Sequence, residues 1–133
     1  MKTINSLYLV DDDDIYRFLT GKIIKESHLV DKVWMYTNGQ EAIESLSKSI
    51  QSNEKLPQII LLDLTMPVMD GWEFLDEFNV LKSYTDELIS IYIVSSSISP
   101  KDIAKVQEYK SVKDFVIKPI TKEKFLDLLA SFI

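Results

Sequence analysis

Four groups of side chains in this 133-residue sequence are suited to metal, acid or phosphoryl chemistry. They are the run Asp11, Asp12, Asp13 and Asp14, the single Asp63, the hydroxyl cluster Ser95, Ser96 and Ser97, and Lys118, which precedes Pro119. Two carboxylates about 5 Å apart at an effective dielectric near ~20 repel by roughly 3 kcal/mol, so Asp11, Asp12 and Asp63 need a cation if they meet. Oxygen donors with no His or Cys beside them select a hard ion, and Mg2+ fits, with Mn2+ as its substitute. A carboxylate next to such an ion can attack phosphorus, while a Ser hydroxyl and a Lys ammonium suit the phosphoryl oxygens. The expected product is an aspartyl phosphate. Asp13 and Asp14 also have the chemistry of a helix N-cap, and the single His28 reads as a surface or C-terminal capping residue.

Each group follows a short, β-rich apolar run. These runs are Leu7–Val10, Ile59–Leu62, Leu88–Val94 and Phe115–Ile117, and a further one, Val33–Thr37, ends in unremarkable polar residues. A stretch of helical period follows every run. Asn38 with Glu41, Asp70 with Glu73, and Ser99 with Asp102 have capping-box spacing, and Pro100 occupies a first helical position, where its missing N–H costs nothing. Ile15, Phe18, Leu19 and Ile23 form one apolar stripe, Phe74, Leu75, Phe78 and Leu81 a second, and Phe125, Leu128, Leu129 and Phe132 a third. The spacing predicts that all three stripes pack on a sheet. Strand-then-helix repeats of this kind make a parallel sheet with right-handed crossovers, a doubly wound α/β fold. Ligands of such sheets bind beyond the carboxyl ends of the strands, where these four groups must lie.

The length and the 46% hydrophobic content predict a single domain, residues 1–133, with a real core, and exclude disorder. No apolar run approaches the roughly 20 residues of a membrane span. The formal charge of −6 comes without a basic stripe, which argues against nucleic acid as a partner. Having no Cys, the chain contains neither disulfides nor thiolate sites, and this fits a reducing cytoplasm.

The segments Leu9-Val10-Asp11-Asp12, Leu62-Asp63-Leu64-Thr65-Met66-Pro67-Val68-Met69-Asp70-Gly71, Val94-Ser95-Ser96 and Phe115-Val116-Ile117-Lys118-Pro119, in that order, closely resemble the receiver domains of two-component response regulators, the CheY-like family. The resemblance covers nearly the whole chain. It implies a flavodoxin-like (βα)5 fold with strand order 2-1-3-4-5. It also implies that Asp63 accepts a phosphoryl group from a phosphohistidine on a sensor histidine kinase or phosphotransfer protein. Asp11, Asp12, Asp63 and the backbone carbonyl of Thr65 would hold Mg2+, and Ser95 and Lys118 would bind the phosphoryl oxygens. Phe115 stands at the position of the family's switch aromatic, where Tyr is frequent. Thr65 and Ser97 resemble positions that tune phosphoryl lifetime. A cis Lys118–Pro119 peptide is a further implication.

Only a short helical stretch follows Lys118 before Ile133, so the expectation is a stand-alone receiver with no DNA-binding or enzymatic domain attached. Its output would be a protein target reading a surface made by the fourth helix, fifth strand and fifth helix. Such a protein is not a turnover enzyme; it promotes only its own phosphorylation and dephosphorylation. Two alternatives compete with it. A binding module of the same fold without phosphorylation would have lost an acidic residue or the lysine, and none is lost here. A haloacid-dehalogenase-like phosphatase would use Asp11 within Asp11-Asp12-Asp13, but its further acidic pair is represented only by Glu123 and Asp127, inside a helical pattern.

Overall fold

The computed structural model describes residues 3–96 and 98–132. Five parallel strands, β1 (Ile4–Val10), β2 (Val30–Tyr36), β3 (Ile59–Leu62), β4 (Ser90–Ser95) and β5 (Val112–Ile117), form one sheet in the order β2-β1-β3-β4-β5. The connecting helices are α1 (Asp14–Ser27), α2 (Gly39–Gln51), α3 (Gly71–Leu81), α4 (Pro100–Val106) and α5 (Lys122–Phe132), with one 3-10 turn at Lys82–Tyr84. This is the doubly wound fold that the strand-helix alternation predicts, in the order that the family resemblance implies.

Strand β3 is buried along its whole length, as a central strand covered on both faces must be. Alternate residues feed two cores. Tyr8, Val10, Ile60 and Leu62 face Leu46, Phe74, Leu75 and Phe78 of α2 and α3, while Leu7, Leu9, Ile59 and Leu61 face Ile24, Phe125, Leu128 and Leu129 of α1 and α5. Strands β1 and β2 are both tied to α2 by hydroxyls: Tyr8 and Tyr36 hydrogen-bond to Ser45, at 2.9 and 2.7 Å. Helix α4 buries only Val106 within its own span. It is joined to α3 instead by polar and aromatic contacts, with Lys105 Nζ 4.4 Å from the centre of the Trp72 ring and Tyr109 Oη donating to Asp76 Oδ1 at 2.6 Å.

The stripes of α3 and α5 are buried as predicted; that of α1 is not. Ile15 and Phe18 are each 70% exposed and Leu19 is exposed, with only Ile23 packed against the core. Helix α1 turns Thr20, Gly21 and Ile24 inward. Gly21 lies against the end of the Met35 side chain of β2, where a Cβ would come within 2.4 Å of Met35 Cε. The inward face of the helix is thus made by small residues and Ile24, not by the Ile15, Phe18 and Leu19 stripe. At β4 the strand begins at Ser90, paired with Ile59, and Leu88 is left 92% exposed. The sequence placed the start at Leu88 because periodicity cannot see where the partner strand begins.

The capping boxes at Asp70/Glu73 and Ser99/Asp102 form in full. At α2 only half forms: Asn38 accepts from Glu41 N–H, but the Glu41 carboxylate turns to Thr37, accepting from its N–H at 2.7 Å and its hydroxyl at 2.8 Å. Asp13 is the N-cap of α1, accepting from the N–H groups of Ile15 and Tyr16, and His28 closes the helix in a left-handed conformation.

Candidate functional site

The sheet's hydrogen bonding continues one residue past its strands, and this extension fixes the site. Asp63 N–H donates to the Val10 carbonyl at 3.0 Å, and Lys118 N–H donates to the Ser95 carbonyl at 2.8 Å. The acid after β1, the acid after β3, the hydroxyl ending β4 and the lysine after β5 are thereby held along one edge. Gly71 allows the approach of α3 from below, since a Cβ there would lie 2.7 Å from the Asp63 carbonyl oxygen. The loop between them carries strain: Val68, β-branched, has φ 68°, in the left-handed region. The Lys118–Pro119 peptide is cis.

Asp11, Asp12 and Asp63 converge, each offering a carboxylate oxygen within 4.8 Å of the others. Asp11 and Asp63 are buried and Asp12 is exposed, so the group opens to solvent on one side. Lys118 Nζ bridges the two buried acids, 2.8 Å from Asp11 Oδ2 and 3.5 Å from Asp63 Oδ2, and its side chain is only 7% exposed. The acids are therefore not bare in the resting protein, but one ammonium leaves two negative charges uncompensated. Burial, then the Asp11 charge, pushes the Asp63 carboxyl up to about 6, against the pull of Lys118 and of the Thr65 N–H at 3.4 Å. Burial opposes the Lys118 ammonium, yet its hydrogen bond to Asp11 and the charges of Asp11 and Asp63 hold it above its ordinary value. Three oxygens at this spacing, with no nitrogen or sulfur donor among them, fit a hard divalent cation such as Mg2+.

Of the residues singled out in the sequence, Asp11, Asp12, Asp63 and Lys118 meet in one pocket, and Ser95 ends the adjoining strand, nearly buried. Thr65 is exposed at the rim and Phe115 is partly buried against the α3 side of the core. Ser97 lies outside the described residues. Glu123 lies in the first turn of α5. Two neighbours were missed. Arg17 donates to the Asp11 carbonyl at 2.6 Å and pairs with Asp14, and Tyr16 places its ring centre 4.4 Å from Lys118 Nζ. The only signal for either is position, on the first turn of the helix that the aspartate run caps.

Comparison with known proteins agrees with this geometry. A family model described as the response regulator receiver domain matches residues 7–130. The chemotaxis protein CheY of Listeria monocytogenes is 31% identical over 123 residues, covering 92% of this chain and 93% of that protein. A two-component response regulator from Cytophaga hutchinsonii superposes with a TM-score of 0.87 at 33% identity, over 98% of both chains. The receiver domain of a sensor histidine kinase from Pseudomonas aeruginosa, solved with a magnesium ion coordinated in its active-site cleft, shares the fold at a TM-score of 0.78 and 16% identity, over 96% of both chains.

Proposed function

The chain belongs to the response regulator receiver family, and on that premise we propose that residues 1–133 form a single receiver domain that serves as the phosphoacceptor of a two-component phosphorelay, with Asp63 the phosphorylated residue. The observation that carries this reading is the Asp63 carboxyl itself, buried beside Asp11 and Lys118 at the end of the central strand. The donor is a phosphohistidine on a sensor histidine kinase or phosphotransfer protein. An Asp63 carboxylate oxygen forms the new bond to phosphorus as the P–N bond breaks, and the electron pair leaves with the imidazole. Asp11, Asp12, Asp63 and the Thr65 carbonyl hold Mg2+, or Mn2+ in its place, and the ion when bound offsets the negative charge that gathers there. Lys118 pairs with one phosphoryl oxygen and the Ser95 hydroxyl bonds another. Thr65, and Ser97 by its place in the sequence, set the lifetime by contacting attacking water. No turnover of a separate substrate is involved.

Two surfaces fit the partners. Ile15, Phe18 and Leu19 form an exposed apolar face on α1, which starts three residues after Asp11, and contiguous apolar surface of this kind marks an interaction site for the donor. Ile103 of α4, Ile117 of β5 and Leu126 of α5 are exposed on the elements expected to meet a downstream protein. Ser95 and Lys118, already tied through their backbones, carry the change to these elements, with the Phe115 ring repacking between them. A full population shift needs about 5.5 kcal/mol of differential stabilisation. Among the described residues no helix is long and apolar enough to cross a membrane, and the proposed setting is the cytoplasm.

The test is an intact-mass measurement after incubation with acetyl phosphate and Mg2+. One labile adduct per chain is expected on the wild type, and none on Asp63→Asn or with Mg2+ chelated. A wild type that takes no adduct would be a binding module of this fold. Turnover of a phosphoester, abolished by Asp11→Asn and not by Asp63→Asn, would make it a phosphatase.

A further inference from the structure

We propose that Tyr16 is a positioning residue for the phosphoryl-transfer site, acting through Lys118. An ammonium has three N–H donors, and Lys118, with a side chain only 7% exposed, has little water to satisfy them. Asp11 lies 2.8 Å away and Asp63 3.5 Å away, so the pull of the two carboxylates is unequal and draws the ammonium toward Asp11. The Tyr16 ring also lies against the ammonium, its centre 4.4 Å from Nζ. A ring face attracts a cation through its quadrupole and carries no net charge.

That difference gives the ring its use. The charge on Asp63 is redistributed when the carboxylate is phosphorylated, and Asp11 would be shared with a bound divalent cation, so both carboxylate partners of Lys118 would change. The Tyr16 face does not change. It holds the ammonium in place while its ionic partners are exchanged, and it covers the ammonium against bulk water. Its own position is fixed from both sides: Tyr16 N–H donates to Asp13 Oδ1 at 3.1 Å, and the next residue, Arg17, is bonded to the Asp11 carbonyl at 2.6 Å. The ring is thus referenced to the same strand end that carries Asp11. A leucine would supply apolar cover with no attraction for the charge, and a phenylalanine would keep the attraction and lose only the hydroxyl.

The inference rests on the phosphoacceptor reading, and the experiment separates the two. Binding of beryllofluoride with Mg2+, a phosphoryl mimic that needs Lys118, is measured for the wild type, Tyr16→Leu and Tyr16→Phe. The NMR shift of the Lys118 ε-methylene is read in the metal-free protein. A cation–π contact of this kind corresponds to a change of between about twofold and thirtyfold in affinity. We expect Tyr16→Leu to weaken binding about fivefold and to move the methylene signal out of the upfield, ring-shifted position. Tyr16→Phe should match the wild type in both. A Leu variant that binds as the wild type does, a Phe variant as weak as the Leu one, or an unshifted methylene in a wild type that binds would each overturn the role of Tyr16. A wild type that binds no beryllofluoride would overturn the phosphoacceptor reading itself.

Discussion

Replacing Lys118 with methionine is expected to lower the melting temperature of the metal-free protein by about 10 °C near pH 7. Methionine keeps the length of the stem and removes the charge. The Asp11 and Asp63 carboxylates, 6% and 8% exposed, are then left without the ammonium now 2.8 and 3.5 Å from them. Removing one partner from a buried ion pair costs about 3–5 kcal/mol. For a chain of this length each kcal/mol moves the melting temperature by about 3–5 °C, so the lower end of that range gives the stated shift. The loss should shrink as the pH is lowered toward about 5. Without Lys118 the Asp63 carboxyl is pushed further above its ordinary value, and a proton taken up there removes one of the opposed charges. Mg2+ should recover part of the loss at neutral pH, by binding the folded state alone. A Lys118→Met protein that melts with the wild type at pH 7 would mean that the lysine does not neutralise the pocket.

The opposite sign is expected for Asp63→Asn, which should raise the metal-free melting temperature by about 5 °C near pH 7. The Asp63 carboxyl is raised from 3.8 to about 6 in the folded protein. A carboxyl raised in this way binds its proton more tightly when folded, so its contribution is fully present below the unfolded value and is lost as pH rises through the folded one. The wild type should therefore lose stability between about pH 4 and 7, by up to about 3 kcal/mol from this group. Asparagine removes the burial and repulsion terms but also gives up the Lys118 contact, which leaves a net gain of about 1–2 kcal/mol. Differential scanning calorimetry against pH should show the falling limb flattened in Asp63→Asn. Mg2+ should stabilise the wild type more than the variant. Equal melting of the two proteins across this pH range, with no difference in their response to Mg2+, would count against crowded carboxylates as the origin of the site.

The parts of the site legible in the sequence were those that depend on strand ends. In a parallel sheet the residue after each strand is fixed by backbone hydrogen bonds, so identifying Ile59–Leu62 as a strand was enough to place Asp63, and Phe115–Ile117 enough to place Lys118. The convergence of Asp11, Asp12 and Asp63 at one sheet edge followed from the parallel topology, whereas the order of the strands came from the family resemblance. A cap within the aspartate run was visible too, at Asp13 or Asp14, and Asp13 is the residue that takes it.

What the sequence hid depends on rotation about a helix axis and on neighbours remote in the chain. The Ile15, Phe18 and Leu19 stripe has the same period whether it faces a core or solvent, and the face that packs inward is carried by Thr20, Gly21 and Ile24, two of which are not apolar signals. Tyr16 was passed over for the same reason. It belongs to neither the stripe nor the aspartate run, and only the path of β5 brings Lys118 to its ring. Glu41 shows the limit in a capping motif: the spacing was right, but the hydroxyl and N–H of Thr37 together outcompete the N–H of Asn38.

The central claim is that carboxylates from two loops form one divalent-ion pocket in which Asp63 carries the phosphoryl group. A crystal structure of the protein with Mg2+ and beryllofluoride tests it most directly. The account predicts beryllium bonded to an Asp63 carboxylate oxygen, the metal ligated by Asp11, Asp12, Asp63 and the Thr65 carbonyl, and fluorine atoms contacted by Lys118 and Ser95. Beryllofluoride on any other carboxylate, or a metal bound away from Asp11 and Asp12, would contradict it.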